Sequence, residues 1–456
     1  MSSHPQINDA DTFLSQHPDV EAIDLLIPDI NGVVRGKRIE REALTKVYQG
    51  GVAMPASVFS LDITGATVEA CGLGLEMGEP DRPCKPVANS LTVTPWQKRP
   101  MAQLLMNMYE NDGSPFFADP RHQLAKMVEK FKTLGLTPVV AVELEFYLID
   151  QNRDQFGKPQ PPISPKTGKR ESHTQVYSIN DLDNYDHFLH DIAEYTAAQG
   201  IPADTAVAEN APGQFEINLK HQDDPLAACD NAILLKRVIK AVAEKHGMEA
   251  SFMARPYEDE AGNGLHIHIS LLDETGNNVF AEAGKDYSQK MEHAVGGLLE
   301  MMADSMALFC PNVNSYRRLQ PGYYVAMSPT WGVDNRTVAV RIPAGPDAAR
   351  RIEHRISGAD ANPYLVMSAL LAGVHYGLTE QVEPPTRIEG NAFAEERDTL
   401  PNRMPEALAT FTGSALIEQY FGKDFVEVYT RCKAEELAQF ERHVTSLETQ
   451  WFLSTL

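Results

Sequence analysis

Apolar and polar positions alternate with a period of two in four short stretches of the chain, the spacing of strands that bury one face. In 138–149, PVVAVELEFYLI, residues Val140, Val142, Leu144, Phe146 and Leu148 share a face, which turns Glu143 and Glu145 to the other. In 213–219, GQFEINL, residues Phe215, Ile217 and Leu219 oppose Gln214, Glu216 and Asn218, and Glu209 lies seven residues before Glu216 in a loop. In 264–271, GLHIHISL, the apolar side opposes His266, His268 and Ser270. In 337–343, TVAVRIP, residues Val338, Val340 and Ile342 oppose Thr337, Ala339 and Arg341.

Other segments complete an α+β pattern. An apolar run, a turn with Asn31 and Gly32 and a second run predict a hairpin over 20–40, with further strands at 89–93 and 103–109. These form a small N-terminal domain. Residues 111–121, NDGSPFFADPR, are rich in turn formers, which sets a boundary near 112 and domains of 1–112 and 113–456. Helical periodicity is predicted over 121–134, 185–199, 230–246, 286–309, 362–378 and 404–411, with a solvated surface helix over 423–445. The Pro- and Gly-rich stretch 151–171 reads as an exposed excursion.

Charge narrows the partners. With 40 Lys+Arg against 63 Asp+Glu the formal charge is −23, which disfavours nucleic acid and anionic membranes. Apolar residues make up 43% and charged residues 23%, the balance of a globular chain rather than a disordered one. The 5 cysteines are scattered without a C-x-x-C pair, fitting a reducing compartment. The first residues, MSSHPQINDADTF, lack a secretory pattern, so a soluble, cytoplasmic protein is expected.

The reactive faces of the four strands carry carboxylates, imidazoles and a guanidinium. As ordinary solvated faces they would also hold lysine, and they hold none. Glutamates gathered inside a fold repel one another, and a divalent cation neutralises them directly. Oxygen donors with one or two imidazoles favour Mg²⁺ or Mn²⁺ over structural zinc. Arg317, Arg318, Arg336, Arg341, Arg350, Arg351 and Arg355 crowd into the same region around Glu353. Surface ion pairing is enough for Arg350; the others suit a phosphorylated ligand, because guanidinium groups grip phosphate and carboxylate in pairs of bonds. Metal plus arginine is the equipment of phosphoryl transfer from ATP, and the chain has no Walker P-loop.

The strings VELEF (142–146), ENAPGQFEINL (209–219), RPYEDEAGNGLHIHIS (255–270), NSYRRLQPGY (314–323), NRTVAVRIP (335–343) and RRIEHRISGADANPYL (350–365) resemble, in order, the signature motifs of the glutamine synthetase family. That resemblance implies a β-grasp-like N-terminal domain beside a large catalytic domain whose antiparallel strands form a partial barrel. It implies two or three Mg²⁺ or Mn²⁺ ions, one held by Glu145, Glu209 and Glu216 and another by Glu143, His266 and Glu353. His268, Ser270, Arg341 and Arg351 would bind ATP, Arg318 and Gly262 would bind L-glutamate, and Arg336 and Arg355 would stabilise the transferring phosphoryl group. The expected assembly is a ring, a homododecamer, with each site completed by a neighbour's N-terminal domain.

One departure bears on the second substrate. Ammonia-using members carry an acid in the N-terminal domain and a glutamate six residues after the arginine that matches Arg318. Here those places read Met54, Pro55, Ala56 and Ser57, with Asp62 nearby, and Tyr324. A phenol in place of a carboxylate suits an alkyl chain more than a small cation. The pattern is similar to the γ-glutamylputrescine and γ-glutamylpolyamine synthetases, so the expected reaction is ATP-dependent joining of glutamate to a polyamine in polyamine catabolism. Ligation of ethanolamine, a monoalkylamine or ammonia is the alternative within the class. A catalytically silent ring is the alternative outside it. The segment 390–408 lacks a recognisable adenylylation loop, so no such control is expected.

Overall fold

The computed structural model describes residues 7–173, 176–320, 322–395 and 397–456. Met1–Gln6, Pro321 in the arginine motif and Glu396 in the 390–408 segment lie outside the described residues.

The first sheet contains β1 (Ala22–Pro28), β2 (Val34–Glu40), β3 (Val52–Pro55), β4 (Asp81–Pro86), β5 (Thr92–Val93) and β6 (Met101–Met108). Its order is β2-β1-β6-β4-β3, with β5 also on β6. β1 and β6 are parallel and buried along their whole length, so they form the centre of a β-grasp-like layer. β2 is the charged edge, where Arg35, Lys37 and Arg38 discourage further strand pairing. The 20–40 hairpin is observed as expected, its turn closed by Asp29, whose carboxylate accepts from the Asn31 and Val33 amides at 2.9 Å each.

The second sheet contains β7 (Leu136–Asp150), β8 (Ala203–Ala208), β9 (Gln214–Leu219), β10 (Met248–Ser251), β11 (Leu265–Asp273), β12 (Trp331–Val333), β13 (Val340–Ile342) and β14 (Ile352–His354). Its order is β12-β13-β14-β11-β7-β9-β8, with β10 also on β7. All pairs are antiparallel except β12 with β13, and the sheet curls into a half-barrel. Helices cover its apolar face. Asp119 caps helix Pro120–Thr133 by accepting from the Arg121 amide, while its other oxygen accepts from Met108 of β6 at 2.9 Å. Helix Pro363–Glu380 is apolar on nearly all sides, as a helix packed between others must be. Its cap Asn362 also donates to the Asp29 carbonyl at 3.0 Å, tying the hairpin turn to the helices that cover the second sheet.

Five expectations change. The 337–343 strand is reduced to Val340–Ile342, because Asn335 turns the chain before it, its side chain accepting from the Thr337 amide at 2.9 Å. The 286–309 helix is two pieces, Gln289–Glu300 and Met306–Phe309, joined by turns over 301–305 in which the Met302 and Met306 amides bond three residues back, to Leu299 and Ala303, rather than four. The 89–93 strand shrinks to Thr92–Val93, with Asn89 in a left-handed turn at φ 60°. Helix Lys423–Arg442 is not simply solvated: Phe425, Val428, Tyr429 and Cys432 are buried, and the Lys433 ammonium is enclosed between Asn31 and Glu436. Helices Ile7–Gln16 and Leu44–Gly50 flank the first sheet and were not anticipated from the pattern. No helix among the described residues is long and apolar enough to cross a membrane.

Candidate active site

Strand register brings the reactive faces together. Glu145 on β7 sits opposite Glu216 on β9, and Glu143 lies between Asn218 on β9 and His266 on β11. Farther along, His268 faces Glu353 on β14, and Glu353 faces Arg341 on β13. Directly paired residues hold their Cβ atoms about 5 Å apart, so alternation in the sequence becomes one continuous polar row across five strands. Glu209 joins from the turn after β8, where its amide donates to the Gln214 carbonyl at 2.9 Å. These groups line a cavity of about 750 Å³.

Carboxylate and imidazole atoms converge in three sets within 4.8 Å: Glu145, Glu209 and Glu216; Glu143, Glu216 and His266; and Glu143, His268 and Glu353. The first is the set expected from the motifs. In the other two, His266 groups with Glu216, and it is His268, expected at the phosphates, that groups with Glu353. Hydrogen bonding assigns the His268 tautomer. Arg351 Nε donates to His268 Nδ1 at 3.0 Å, so the ring proton resides on Nε2, which faces Glu143 Oε1 at 2.7 Å.

Electrostatics divide the four glutamates that shift into two kinds. Burial raises Glu209, and the adjacent Glu145 adds to it, pushing its carboxyl up to about 8. Burial and the charges of Glu143, Glu145 and Glu209 push Glu216 up to about 9. Burial acts in the same direction on Glu143 and Glu353, and there it is outweighed. Hydrogen bonds from His266 and His268 hold Glu143 well below the ordinary range, and Arg355, the two histidines and Arg341 bring Glu353 down to about 2. A site that forces protons onto two of its own carboxylates fits a cation, and this oxygen-rich donor set with imidazoles fits a divalent one.

Arginines surround the row. Arg341 donates to Glu353 Oε2 at 2.6 Å and to Asp334 at 2.7 Å, and Arg355 donates to Glu353 Oε1. Arg318, 3% exposed, donates to the Ile356 carbonyl at 2.6 Å. Gly262 packs against it so closely that an added Cβ would lie 2.7 Å from Arg318 Cγ and 2.5 Å from the Ala254 carbonyl; only glycine fits there. Arg336 is exposed at the rim, where its charge opposes the rise of Glu209. Tyr324 is 57% exposed at the cavity mouth, with its backbone in the left-handed region at φ 54°. Ser270, on the same face of β11 as the histidines, is not among the residues lining the cavity. Arg350 bonds Asp347 at 3.3 Å, an ion pair as expected, but with the Arg350 side chain largely buried rather than at the surface.

Asp62 is committed elsewhere: it is buried, and it accepts from the Thr64 and Ala66 amides, the Thr64 hydroxyl and Gln439. Sequence reasoning assigned no role to Val176, Tyr177, Asn210, Tyr323 and Asp334, which also line the cavity. Asn210 and Tyr323 sit inside the 209–219 and 314–323 motifs and Asp334 immediately before the 335–343 motif, whereas Val176 and Tyr177 follow an irregular loop with no periodic signal.

A second cavity, about 770 Å³, lies between the hairpin turn and helix Pro225–Lys245 and is lined by Lys236, Arg237 and Lys240. It contains none of the three convergent donor sets.

The profile of the glutamine synthetase catalytic domain matches residues 117–452. The chain belongs to the glutamine synthetase family. As a member it is a ligase, of a family that uses ATP and divalent metals to join glutamate with ammonia or an amine. Among curated members of the glutamine synthetase family, the γ-glutamylputrescine synthetase PuuA of Escherichia coli (strain K12) is 47% identical over 97% of this chain and 93% of its own. The glutamate–isopropylamine ligase of Pseudomonas sp is 33% identical over 97% of both chains. A solved GmaS–ADP complex superposes with a TM-score of 0.84 at 25% identity, covering 99% of this chain and 100% of that one.

Proposed function

We propose that this chain joins the γ-carboxylate of L-glutamate to a polyamine such as putrescine or spermidine, by way of γ-glutamyl phosphate made with ATP. The observation that carries the amine is Tyr324 at the cavity mouth, in a place where a carboxylate would trap ammonium. The similarity to a γ-glutamylputrescine synthetase supports the same reading, and polyamine catabolism is the role we propose for it.

A carboxylate is a poor electrophile, because displacing oxide from it is prohibitive; phosphorylation turns that oxygen into a leaving group. Glu143, Glu145, Glu209, Glu216, His266 and Glu353 would hold two or three Mg²⁺ or Mn²⁺ ions, with His268, both of whose ring nitrogens are engaged by Arg351 and Glu143, beside them. When bound, these ions neutralise the glutamates and draw charge from phosphate oxygens. Arg318, beside Gly262, holds the head of glutamate. Arg336, Arg341 and Arg355 would disperse charge on the phosphoryl group in transit, and Arg351, bonded to His268, would bind the nucleotide phosphates. The amine then attacks the acyl phosphate and expels phosphate, leaving a γ-glutamyl amide.

The cavity lining starts at Glu143 and draws nothing from the first sheet, which supports closure by a neighbouring N-terminal domain in a homododecameric ring. A domain boundary near 112 is supported by the gap between β6 and helix Pro120–Thr133. We assign the protein to the cytoplasm on its composition and free buried thiols. A monoalkylamine is the second reading, favoured by the apolar Val176 and Val325 at the cavity.

The test supplies ATP and glutamate with putrescine, spermidine, ethanolamine, isopropylamine or ammonium in turn and measures phosphate release. The polyamines should give the highest kcat/KM; turnover with ammonium and none with diamines would falsify the assignment.

A further inference from the structure

Two uncharged side chains on the sheet hold the backbone of the loop at Ala261 and Gly262. Gln214, first residue of β9, is 2% exposed, and its amide nitrogen donates to the Gly262 carbonyl and to Asn263 Oδ1 at 3.0 Å each. Its oxygen is enclosed and has no partner. Tyr147, paired with Gln214 in the β7–β9 register, donates its hydroxyl to the Ala261 carbonyl at 2.6 Å. Asn263 is fully buried and anchors the loop from behind through the Met253 carbonyl at 2.9 Å. An amide buried with half of its capacity unmet is costly, so the bonds its nitrogen makes call for a specific account.

Gly262 offers one. It lines the same cavity as Arg318 and packs on that side chain's aliphatic stem, while the guanidinium lies against Gly264, two residues on, so this stretch of backbone and a guanidinium share one wall, the complement of an ammonium and a carboxylate on one ligand. A carbonyl oxygen has two lone pairs, and Gln214 takes one of them. We infer that Gln214 and Tyr147 are positioning residues: they fix the Ala261–Gly262 carbonyls so that the remaining lone pair of Gly262 meets the α-ammonium of glutamate. They thereby set the preference for an α-amino acid over a plain diacid. This rests on the proposed glutamate site.

The test compares glutamate with glutarate, the same diacid without the α-ammonium, in ATP- and putrescine-dependent phosphate release. Gln214→Met keeps the volume and removes the donor. It should raise KM for glutamate about tenfold or more, leave kcat and the KM for ATP near wild type, and leave glutarate use unchanged. Tyr147→Phe removes one oxygen and should shift glutamate in the same direction by a smaller factor, again without moving glutarate. Unchanged glutamate KM in both variants, or equal losses with glutamate and glutarate, would overturn the assignment while the wild-type activity still stands. A wild-type protein without glutamate-dependent turnover would overturn the functional reading itself, and this inference with it.

Discussion

Glu145 and Glu216 face each other directly across β7 and β9, two carboxylates on paired positions of adjacent antiparallel strands. Like charges in that arrangement are destabilising, and Glu209 makes a third from the turn. The sheet pays for this crowding in its metal-free form, and the consequences can be measured.

Stability of the metal-stripped protein should fall as pH rises. Glu209 and Glu216 titrate near 8 and near 9 in the fold, above an unfolded value of 4.5. Between those limits the folded state binds more protons than the unfolded one, so raising the pH costs stability. The contribution is complete below about 4.5 and is lost through 8 to 9. Melting followed in chelator should therefore drop from pH 6 to 9, and added Mg²⁺ or Mn²⁺ should raise Tm by an amount that grows with pH. A metal-induced shift independent of pH would contradict this.

Glu216→Ala should remove metal-dependent turnover, by ~100-fold or more given the electrostatic share of such catalysis, and leave the assembly intact in light scattering. Unchanged turnover would remove Glu216 from the site.

Glu353 is the hub of the arginine side. Its side chain is 2% exposed and accepts from both Arg341 and Arg355. Glu353→Gln should lower stability by about 3 kcal/mol, as removing one partner of a buried ion pair does, and should cut kcat more than it raises the KM for glutamate. Denaturant melts and steady-state kinetics read both.

Tyr324→Glu places a carboxylate at the cavity mouth. It should raise kcat/KM for ammonium about tenfold, ~1.4 kcal/mol, and lower that for putrescine. No change in the ratio would mean that this residue does not govern amine choice.

Much of the site was legible because a strand writes its faces into the sequence. The alternation that separated Glu143 and Glu145 from Val142 and Leu144 needs only the period of two, and the register across β7, β9, β11 and β14 then aligns those faces. The partition of ligands was less legible: whether His266 or His268 joins Glu353 depends on which residues pair across β11 and β14, and pairing is tertiary. Tyr177 shows a further limit, since a residue reached by an irregular loop carries no periodic signal at all. The split of the 286–309 helix is not legible because apolar periodicity continues through Met301 and Met302 while the backbone tightens into turns over 301–305.

The central claim is that the glutamate γ-carboxylate is activated by phosphorylation before an amine takes it. Glutamate labelled with ¹⁸O in that carboxylate, supplied with ATP and putrescine, should yield γ-glutamylputrescine and phosphate carrying one ¹⁸O atom in each turnover. Amide product accompanied by unlabelled phosphate would contradict the account.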